Sequence, residues 1–520
     1  MNLDKSFFTV KKFVAAIPTM QKTDGFFKKV LLAFLAIETL SLIGFIFPVW
    51  GKIIFVLVVL GVVFLTFKNL EYGLFILLAE LITGSKGYLL FFNLPHFNLS
   101  IRMALFIVVI IAMVGQISLL AIKTKTCPLL HFLKNKNFKY FVPIIFFIGW
   151  GVINAFLSHN DFSYIYQDAN GWLFFALIFP VYFIYENKEE DGKKIFKEKI
   201  ITLLLAATFW MAIKTFVLLF VFSHNSASTM TTVYKWVRDT GVGEITRMPT
   251  GFIRIFFQSH IFAIVSFFIV LFSIVESKKV KIFDFLLLTT YAAITILSYS
   301  RSNWVGFAGG LAVYLLIILF LKSWSRIGKV FLAGIASMIV SFIFINILIT
   351  FPHPKPTSNF NTMDIAERAT QITNEAGVSS RWKLLTPLWS EIKKYFVMGH
   401  GYGSTVTYFS EDPRVLETSP TGELTTFAFE WGWLEIWLKL GLIGMAYYLF
   451  LIGRFTVFNF HLKTLNDFFT SPENITKLAL IIGLITISII SFFSPYMNHP
   501  LGIGYLILMS IFIDKKSLNS

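Results

Sequence analysis

The stretch VFLAGIASMIVSFIFINILIT, residues 330–350, decides the fold class of this chain. It contains no charged side chain, and a helix of this length rises about 30 Å, which is the thickness of the hydrocarbon core of a bilayer. Apolar runs in the buried helices of soluble domains are shorter. We therefore predict that this stretch is a transmembrane helix.

Comparable apolar runs lie on both sides of residues 330–350, and together they give about fourteen predicted spans. Only 14% of all residues are charged, against roughly 25% in soluble domains. The predicted fold is therefore all-α, a polytopic transmembrane helical bundle. The runs are near residues 30–47, 52–67, 70–84, 101–122, 139–157, 171–186, 200–222, 254–275, 283–299, 303–321, 330–350, 431–453, 476–494 and 501–513.

The net charge of +16 indicates orientation in the membrane rather than affinity for nucleic acid. With the N-terminus in the cytoplasm, the predicted inner segments hold 28 Lys and Arg residues and the outer segments hold 15. Lys214 and Lys439 lie within spans. Since positive loops stay in the cytoplasm, we predict that both termini are cytoplasmic. The single cysteine, Cys127, excludes an intramolecular disulfide.

One long outer loop divides the chain into unequal parts. The segment before the first span has no cleavage site for a signal peptidase, and it is either a basic amphipathic helix on the lipid surface or a disordered tail. The predicted divisions are a cytoplasmic N-terminal segment (1–27), transmembrane helices 1–11 (28–350), an extracytoplasmic loop (351–429), transmembrane helices 12–14 (430–513) and a cytoplasmic tail (514–520).

A helix with one apolar face is predicted in this long loop. Ser380 has the character of an N-cap, and Pro387 is expected to kink the helix. A face of this kind either packs on the transmembrane bundle or lies in the outer lipid interface. The apolar positions at helical spacing are Trp382, Leu385, Trp389, Ile392 and Phe396.

The arginines are concentrated on one side of the predicted membrane. Eight of the ten fall in outer segments, whereas the lysines favour the inner ones. A guanidinium group can bind a phosphate through two parallel hydrogen bonds, which an ammonium group cannot do. The distribution therefore predicts a phosphorylated ligand at the outer face. The eight are Arg102, Arg238, Arg247, Arg254, Arg301, Arg368, Arg381 and Arg414.

Three of these arginines stand at predicted span ends with polar neighbours. Arg301 lies in Ser-Tyr-Ser-Arg-Ser-Asn-Trp (298–304), where hydroxyls and an amide can hold its guanidinium toward a ligand; the alternative is a helix-end arginine that reaches lipid headgroups. Arg247 and Arg254 bracket the start of the eighth span, either as ligand contacts or as interfacial anchors. Arg102 is another possible interfacial anchor.

Several acidic groups and one histidine are further candidates. Glu430, at the mouth of the twelfth span among four aromatic residues, is expected to be partly desolvated, which suits a general base; the alternative is an acid that complements the helix dipole. His400, in Gly-His-Gly-Tyr-Gly-Ser (399–404), is a second candidate for proton transfer or an ordinary loop residue. Asp161 and Asp168, in an outer loop without Lys or Arg, are candidates for contact with sugar hydroxyls. Glu38 and Glu80 are expected to be structural groups that face the bundle.

Three motifs together resemble the O-antigen ligase and O-antigen polymerase family of bacterial membrane glycosyltransferases. They are SYSRSNW (298–304), RWKLLTPLWSEIKKYFVMGHGYGS (381–404) and EWGWLEIWLKLGLIG (430–444), and the long outer loop precedes the last of them, as in the family. The resemblance covers about residues 240–500. Where ligases carry a loop-end histidine followed by an asparagine, this chain has Glu430 and Trp431.

The resemblance implies transfer of a glycan from an undecaprenyl-pyrophosphate carrier to a glycan or lipid acceptor hydroxyl, at the outer face of the bacterial cytoplasmic (inner) membrane. No metal, cofactor or nucleic acid is expected. Preorganised arginines stabilise a pyrophosphate leaving group, and a positioned base removes the acceptor proton. The hypothesis assigns the pyrophosphate to Arg301, Arg254 and Arg381, with Arg247 as a weaker contact, and the base to Glu430 or His400.

Two other classes of protein remain open from sequence. A lipid-linked oligosaccharide flippase or other polysaccharide transporter has a similar number of spans, but transporters favour pseudo-symmetric halves and a binding site at the midplane. This chain instead concentrates charge at one surface and has one large loop. A non-catalytic assembly scaffold would give no reason for arginine in place of lysine. Ligase and polymerase are not distinguished by these motifs.

Overall fold

A computed structural model describes residues 24–93, 98–125, 135–225, 230–248, 251–358, 376–411, 413–417, 419–460 and 465–513. Most of the predicted N-terminal segment, the predicted tail, Cys127 and Arg368 lie outside these residues. Within them, nearly all regular structure is helical, which confirms the predicted all-α polytopic bundle.

The helices and strands are as follows, in chain order. The helices are α1 (Asp24–Ile46), α2 (Pro48–Lys68), α3 (Leu70–Thr83), α4 (Ile101–Thr124), α5 (Lys136–Lys139), α6 (Val142–Leu157), α7 (Phe162–Trp172), α8 (Ile178–Glu186), α9 (Glu190–His224), α10 (Thr231–Asp239), α11 (Ile261–Glu276), α12 (Ile282–Leu297), α13 (Arg301–Phe320), α14 (Trp324–Thr350), α15 (Ala376–Lys394), α16 (Pro413–Leu416), α17 (Gly432–Phe455), α18 (Pro472–Ile490) and α19 (Pro500–Ser510). The strands form three antiparallel hairpins, β1 (Phe91–Asn93) with β2 (Asn98–Ser100), β3 (Gly243–Arg247) with β4 (Ile253–Phe257), and β5 (Val406–Phe409) with β6 (Glu423–Thr426).

Among the described residues, eleven helical segments are long and apolar enough to cross a membrane. Two shorter apolar helices, α12 and α19, and the 14-residue α3 account for the other predicted runs. The predicted sixth run is the end of a longer segment, Phe162–Glu186, which contains α7, a 3-10 turn and α8. Each predicted apolar run therefore overlaps a described helix, although some helix ends were placed imprecisely.

The centre of the bundle is α11, which is almost entirely buried. It packs against α12 on one side and α18 on the other. On α13, Gly306 and Gly310 let α18 approach closely, since a Cβ at Gly310 would lie 2.1 Å from Thr486 Oγ1. We call the end of the bundle that carries α15, β5 and β6 the loop face; α13 and α17 both begin there.

Helix α17 changes direction at Gly441, whose φ of 73° lies in the left-handed region. A Cβ at this position would lie 2.1 Å from Val397 O, so only glycine fits beside the chain that follows α15. The kink divides α17 into a first part that lies along α15 and a second part that packs against α6.

Helix α15 is the predicted loop helix, but its start and its buried face differ from the prediction. It begins at Ala376 and continues through Pro387, so Ser380 is internal and instead accepts a hydrogen bond from Glu411 N (2.9 Å). The buried positions are Leu384, Leu388 and Ile392, which pack against Val406, Phe429 and Leu438. Trp382 and Trp389, predicted on the apolar face, lie on the exposed side.

Buried ion pairs tie the first helices to the rest of the bundle. Glu38 pairs with Lys214 (2.6 Å) and Glu80 pairs with Arg102 (2.7 Å). Glu38 and Glu80 are therefore structural groups inside the bundle, as predicted. Arg102 is only 3% exposed, so its suggested role as an interfacial anchor is wrong; burial requires that its charge be paired.

Candidate active site

The turn between α12 and α13 presents Arg301 at the start of a helix. Tyr299 has a φ of 50°, which a bulky residue adopts only when its surroundings hold it there, and its ring packs on Phe252 (4.9 Å) and Trp304 (5.6 Å). Ser300 caps α13 by accepting from Asn303 N (3.5 Å), so Arg301 is the first helical residue. A helix N-terminus attracts anions, and Arg301 adds a full positive charge to it.

Arg254 contacts the same turn from a neighbouring hairpin. Its Nε donates to Ser298 O (2.9 Å), and its guanidinium lies over the Phe256 ring (4.7 Å) and 3.9 Å from Glu244 Oε2. The sequence predicted Arg254 at the start of a transmembrane span, but it lies in β4, because the alternating residues Ile253, Ile255 and Phe257 bury one face of a strand. The structure therefore brings Arg254 to the turn that precedes Arg301.

Arg247 does not join this group. In the β3–β4 register Arg247 faces Ile253, whereas Arg254 faces Thr246, so the two arginine side chains are on opposite faces of the hairpin. Arg247 donates instead to Thr357 O (2.8 Å).

Arg381 and Glu430 form an ion pair, from Nε to Oε2, at the start of α17. The indole of the next residue, Trp431, donates to Arg381 O (2.9 Å), which fixes the backbone of α15 beside this pair. The Glu430 side chain is 51% exposed. Glu430 is therefore more exposed than expected, and its carboxylate is paired with Arg381.

The loop 491–499, between α18 and α19, connects the two arginine groups. Ser494 Oγ lies 3.1 Å from Ser302 Oγ, one residue after Arg301. The preceding residue, Phe493, packs its ring on Trp431 (5.7 Å), one residue after Glu430. Two consecutive residues of this loop thus contact the neighbours of Arg301 and Glu430, which brings both groups next to the same loop.

The same loop also meets further positive charge. Burial, and then the positive charges of Arg102 and Lys86, lower the pKa of His499 to about 3. Lys86 is exposed on a turn that is firmly held, since Arg102 donates to Ser85 O (2.7 Å) and Ser85 Oγ lies 2.8 Å from Ser259 Oγ. Of these two cations, Arg102 is buried and paired with Glu80, so Lys86 is the exposed positive charge near this end of the loop.

His400 lies at the other end of α15 from Arg381. Its Nε2 is 2.8 Å from Glu391 O and its ring packs on Tyr395 (4.5 Å). Glu391 is ten residues after Arg381 on one continuous helix, which corresponds to roughly 15 Å along the axis. The structure therefore separates the two predicted proton-transfer candidates, and only Glu430 lies beside an arginine of the predicted site.

Sequence reasoning missed a buried ion cluster beneath this surface. Lys439 pairs with Glu435 one helical turn before it and with Asp168 of α7 (2.7 Å), and the three side chains are at most 6% exposed. Asp168 also accepts from Gly403 N (2.8 Å), and Glu435 accepts from Phe429 N (3.4 Å), just before Glu430. Asp168 is thus buried, which argues against its predicted contact with sugar. One sequence feature could have predicted the cluster: Lys439 lies within a span, four residues after a glutamate, which is the spacing of an ion pair on a helix.

Replacing Lys439 with methionine is expected to lower the free energy of unfolding by about 3–5 kcal/mol, because two buried carboxylates lose the cation that they share. Thermal unfolding of the purified proteins in detergent measures the change. Lys383→Met is the matched control, because Lys383 pairs with the exposed Glu411 and its loss should change little. Equal unfolding temperatures for Lys439→Met and the wild type would contradict the structural role of this cluster.

Comparison with known families identifies part of the chain. Residues 285–449 match the O-antigen ligase family, which confirms the resemblance predicted from sequence over those residues. The match contains Arg301, Arg381, His400 and Glu430, and it leaves out Arg254. Comparisons with curated proteins and with solved structures give no match. Within the described residues, no group of three or more His, Cys, Asp or Glu side chains is placed to hold a metal ion.

Proposed function

We propose that this chain, a multi-pass membrane protein with an O-antigen ligase domain, transfers a glycan from an undecaprenyl-pyrophosphate carrier to an acceptor hydroxyl. It would act as a polymerase or a ligase of O-antigen or exopolysaccharide. One contact supports this proposal most. Arg254 donates to the turn before Arg301, and Arg301 is the first residue of a helix. Both features bind anions, and a pyrophosphate is the anion that this reaction must hold.

In the proposed reaction, Arg301, Arg254 and Arg381 bind the pyrophosphate. The acceptor oxygen forms a bond to the anomeric carbon of the donor glycan, and the bond between that carbon and the pyrophosphate oxygen breaks. The electron pair of the broken bond stays on the pyrophosphate, which remains attached to the undecaprenyl chain. Guanidinium groups that are already in place stabilise this developing charge without the cost of reorganising solvent.

The proton of the acceptor hydroxyl passes to the Glu430 carboxylate. In the structure this carboxylate is paired with Arg381, and a pyrophosphate is a competing anion for the same guanidinium. Donor binding would therefore draw Arg381 toward the phosphates and release Glu430 to act as the base. This coupling explains how an exposed carboxylate that is paired with an arginine can act as the base, because the carboxylate becomes available only when the donor is bound.

The proposed membrane orientation has the loop face outside. The excess of Lys and Arg in the segments at the opposite end supports cytoplasmic termini in a bacterial inner membrane. A lipid-linked donor in the outer leaflet would then present its pyrophosphate at headgroup level. Arg301 begins α13 on this side, and Arg254 contacts the turn before it from the neighbouring β3–β4 hairpin, where such a group would meet them.

His400→Gln is expected to retain activity within about tenfold of the wild type, because His400 lies near the far end of α15 and its ring bonds only a backbone carbonyl. A glutamine amide can also donate to Glu391 O. Rates of glycan transfer by the purified variants give the comparison. Loss of a general base lowers the rate by about 10²–10⁴-fold. A decrease of that size in a folded His400→Gln protein would show that His400, and not Glu430, is the base.

Deletion of the gene in its native strain, followed by length analysis of the surface glycan, tests the proposed function. Loss of long chains with a single repeat retained on the cell indicates a polymerase. Accumulation of full-length glycan on the lipid carrier indicates a ligase. Accumulation of single repeats on the carrier at the cytoplasmic side would contradict the proposal and indicate a flippase. Restoration by the wild-type gene but not by Arg301→Lys ties the phenotype to the proposed site.

A further inference from the structure

The end of α15 and the segment after it carry a large exposed apolar surface, although they belong to the long loop. The residues that face out are Trp389, Tyr395, Phe396, Val397 and Met398, each at least 36% exposed. On the opposite side of the helix, Leu384, Leu388 and Ile392 are already buried in the protein. A soluble loop rarely exposes a contiguous aromatic surface of this kind, so something must cover it.

Hydrogen bonds to a spanning helix place this segment below the membrane surface. Met398 O accepts from Trp150 Nε1 (3.0 Å) and lies 3.4 Å from Asn154 Nδ2. Trp150 and Asn154 belong to α6, and they are seven and three residues before its end at Leu157. At 1.5 Å per residue, Met398 is about 5–10 Å below that end.

The kinked helix α17 gives a second, independent measure of depth. Phe396 O accepts from Leu442 N (3.0 Å), at the start of the second part of α17. Leu442 is twelve residues, or about 18 Å, from Arg454 near the opposite end. If Arg454 marks one boundary of a hydrocarbon core of about 30 Å, Phe396 is about 12 Å inside the other boundary.

The polar backbone of this segment is satisfied as a membrane interior requires. Chain outside a helix is tolerated at membrane depth only where its carbonyl groups find donors in the protein. Trp437 Nε1 donates to Phe396 O (3.1 Å), Trp150 Nε1 donates to Met398 O, and Asn154 Nδ2 donates to Gly399 O (2.6 Å). In water these carbonyl groups would need no such partners.

The neighbours of the segment also face lipid. On α6, Phe146, Ile153 and Phe156 are each more than half exposed, as expected for a spanning helix at the edge of the bundle. The exposed apolar surface of the segment continues this lipid-facing side. Lys393 lies over the Trp389 ring (5.9 Å), so its ammonium group points back toward the membrane surface, as lysines do when their helix enters a bilayer.

We propose that the C-terminal part of α15, from Trp389, and residues 395–398 form a re-entrant element that is embedded in the leaflet at the loop face and covered by phospholipid acyl chains. Phe396 is fifteen residues after Arg381, roughly 22 Å on an upright helix. With Phe396 about 12 Å inside the hydrocarbon, Arg381 stands about 10 Å above it, just on the aqueous side of the headgroup layer. The link between this placement and the donor pyrophosphate rests on the proposed function, whereas the contact with lipid does not.

Spin labels on the full-length protein in phospholipid vesicles test this placement. Cys127, the single cysteine, is first replaced by serine, and one cysteine is then introduced as Val397→Cys or, separately, Met398→Cys. Phe409→Cys, an exposed apolar position in β5, is the matched control for the aqueous part of the loop, and Ile153→Cys on α6 is the reference for lipid. Collision rates with oxygen, which concentrates in lipid, and with a water-soluble nickel chelate report the surroundings of each label.

We expect the labels at 397 and 398 to resemble the label at 153, with high oxygen and low nickel accessibility, and the label at 409 to show the reverse. Nickel accessibility at both 397 and 398 equal to that at 409 would overturn the proposal. Low accessibility to both reagents would also overturn it, because the segment would then be covered by protein. Neither accessibility measurement requires catalysis. An inactive enzyme with lipid-exposed labels would therefore refute only the proposed function.

Discussion

Replacing Arg301 with lysine is expected to abolish polymer formation while the protein still inserts and folds. Lysine keeps the positive charge at the start of α13 but loses the planar group that binds two phosphate oxygens at once. Loss of one preorganised donor to a developing charge typically lowers kcat by about 10²–10³-fold. The measurement is the rate of carrier release by purified protein, with the amount of folded protein checked by size-exclusion chromatography.

Arg238→Lys is the matched control for this variant. Arg238 also lies on the loop face, on α10, but its side chain donates to the hydroxyl of Tyr234 and takes no part in the proposed site. We expect it to keep wild-type activity. Normal polymer from Arg301→Lys, or an equal loss from Arg238→Lys, would show that the geometry of the guanidinium at position 301 is not required.

Replacing Glu430 with glutamine is expected to stop transfer without preventing donor binding. Glutamine has nearly the same shape but cannot take up the proton of the acceptor hydroxyl, so kcat should fall by about 10²–10⁴-fold. The KM for the donor should not rise, because Arg381 is then no longer paired with a carboxylate and remains free to bind phosphate. Steady-state kinetics with varied donor separates the two effects.

Glu423→Gln serves as the control for this second substitution. Glu423 is an exposed glutamate in β6, seven residues before Glu430 in the same loop. Its replacement should leave both kcat and KM unchanged. A folded Glu430→Gln protein that makes polymer at the normal rate would exclude this carboxylate as the base.

The sequence was sufficient to predict the bundle because the physics that decides it is local. Each span is an apolar run whose length is set by the membrane, so residues such as 330–350 can be recognised without knowledge of their neighbours. Glu38 and Glu80 were predicted as structural groups for a similar reason, since a charge within a span must be paired. Their partners, Lys214 and Arg102, are remote in sequence and could not be identified from it.

The details of the candidate site depended on tertiary packing and were predicted less well. Arg254 lies in a strand, in which Ile253 and Ile255 are buried on one face. The sequence did not predict this strand, because its alternating pattern is part of a longer apolar run. Glu430 is about half exposed and pairs with Arg381, 49 residues before it, and no local pattern predicts that partner. Ser494 contacts Ser302 although 192 residues separate them, and no local sequence pattern predicts this contact.

The central claim is that this protein breaks the bond between a glycan and its pyrophosphate carrier at the site of Arg301. The most direct measurement is to incubate the purified protein in vesicles with lipid-linked glycan and acceptor, and to quantify free undecaprenyl pyrophosphate together with the new glycan. The account predicts one carrier released for each glycosidic bond formed, with release lost in Arg301→Lys. Glycan that crosses the membrane while still bonded to its carrier, with no carrier released, would contradict it.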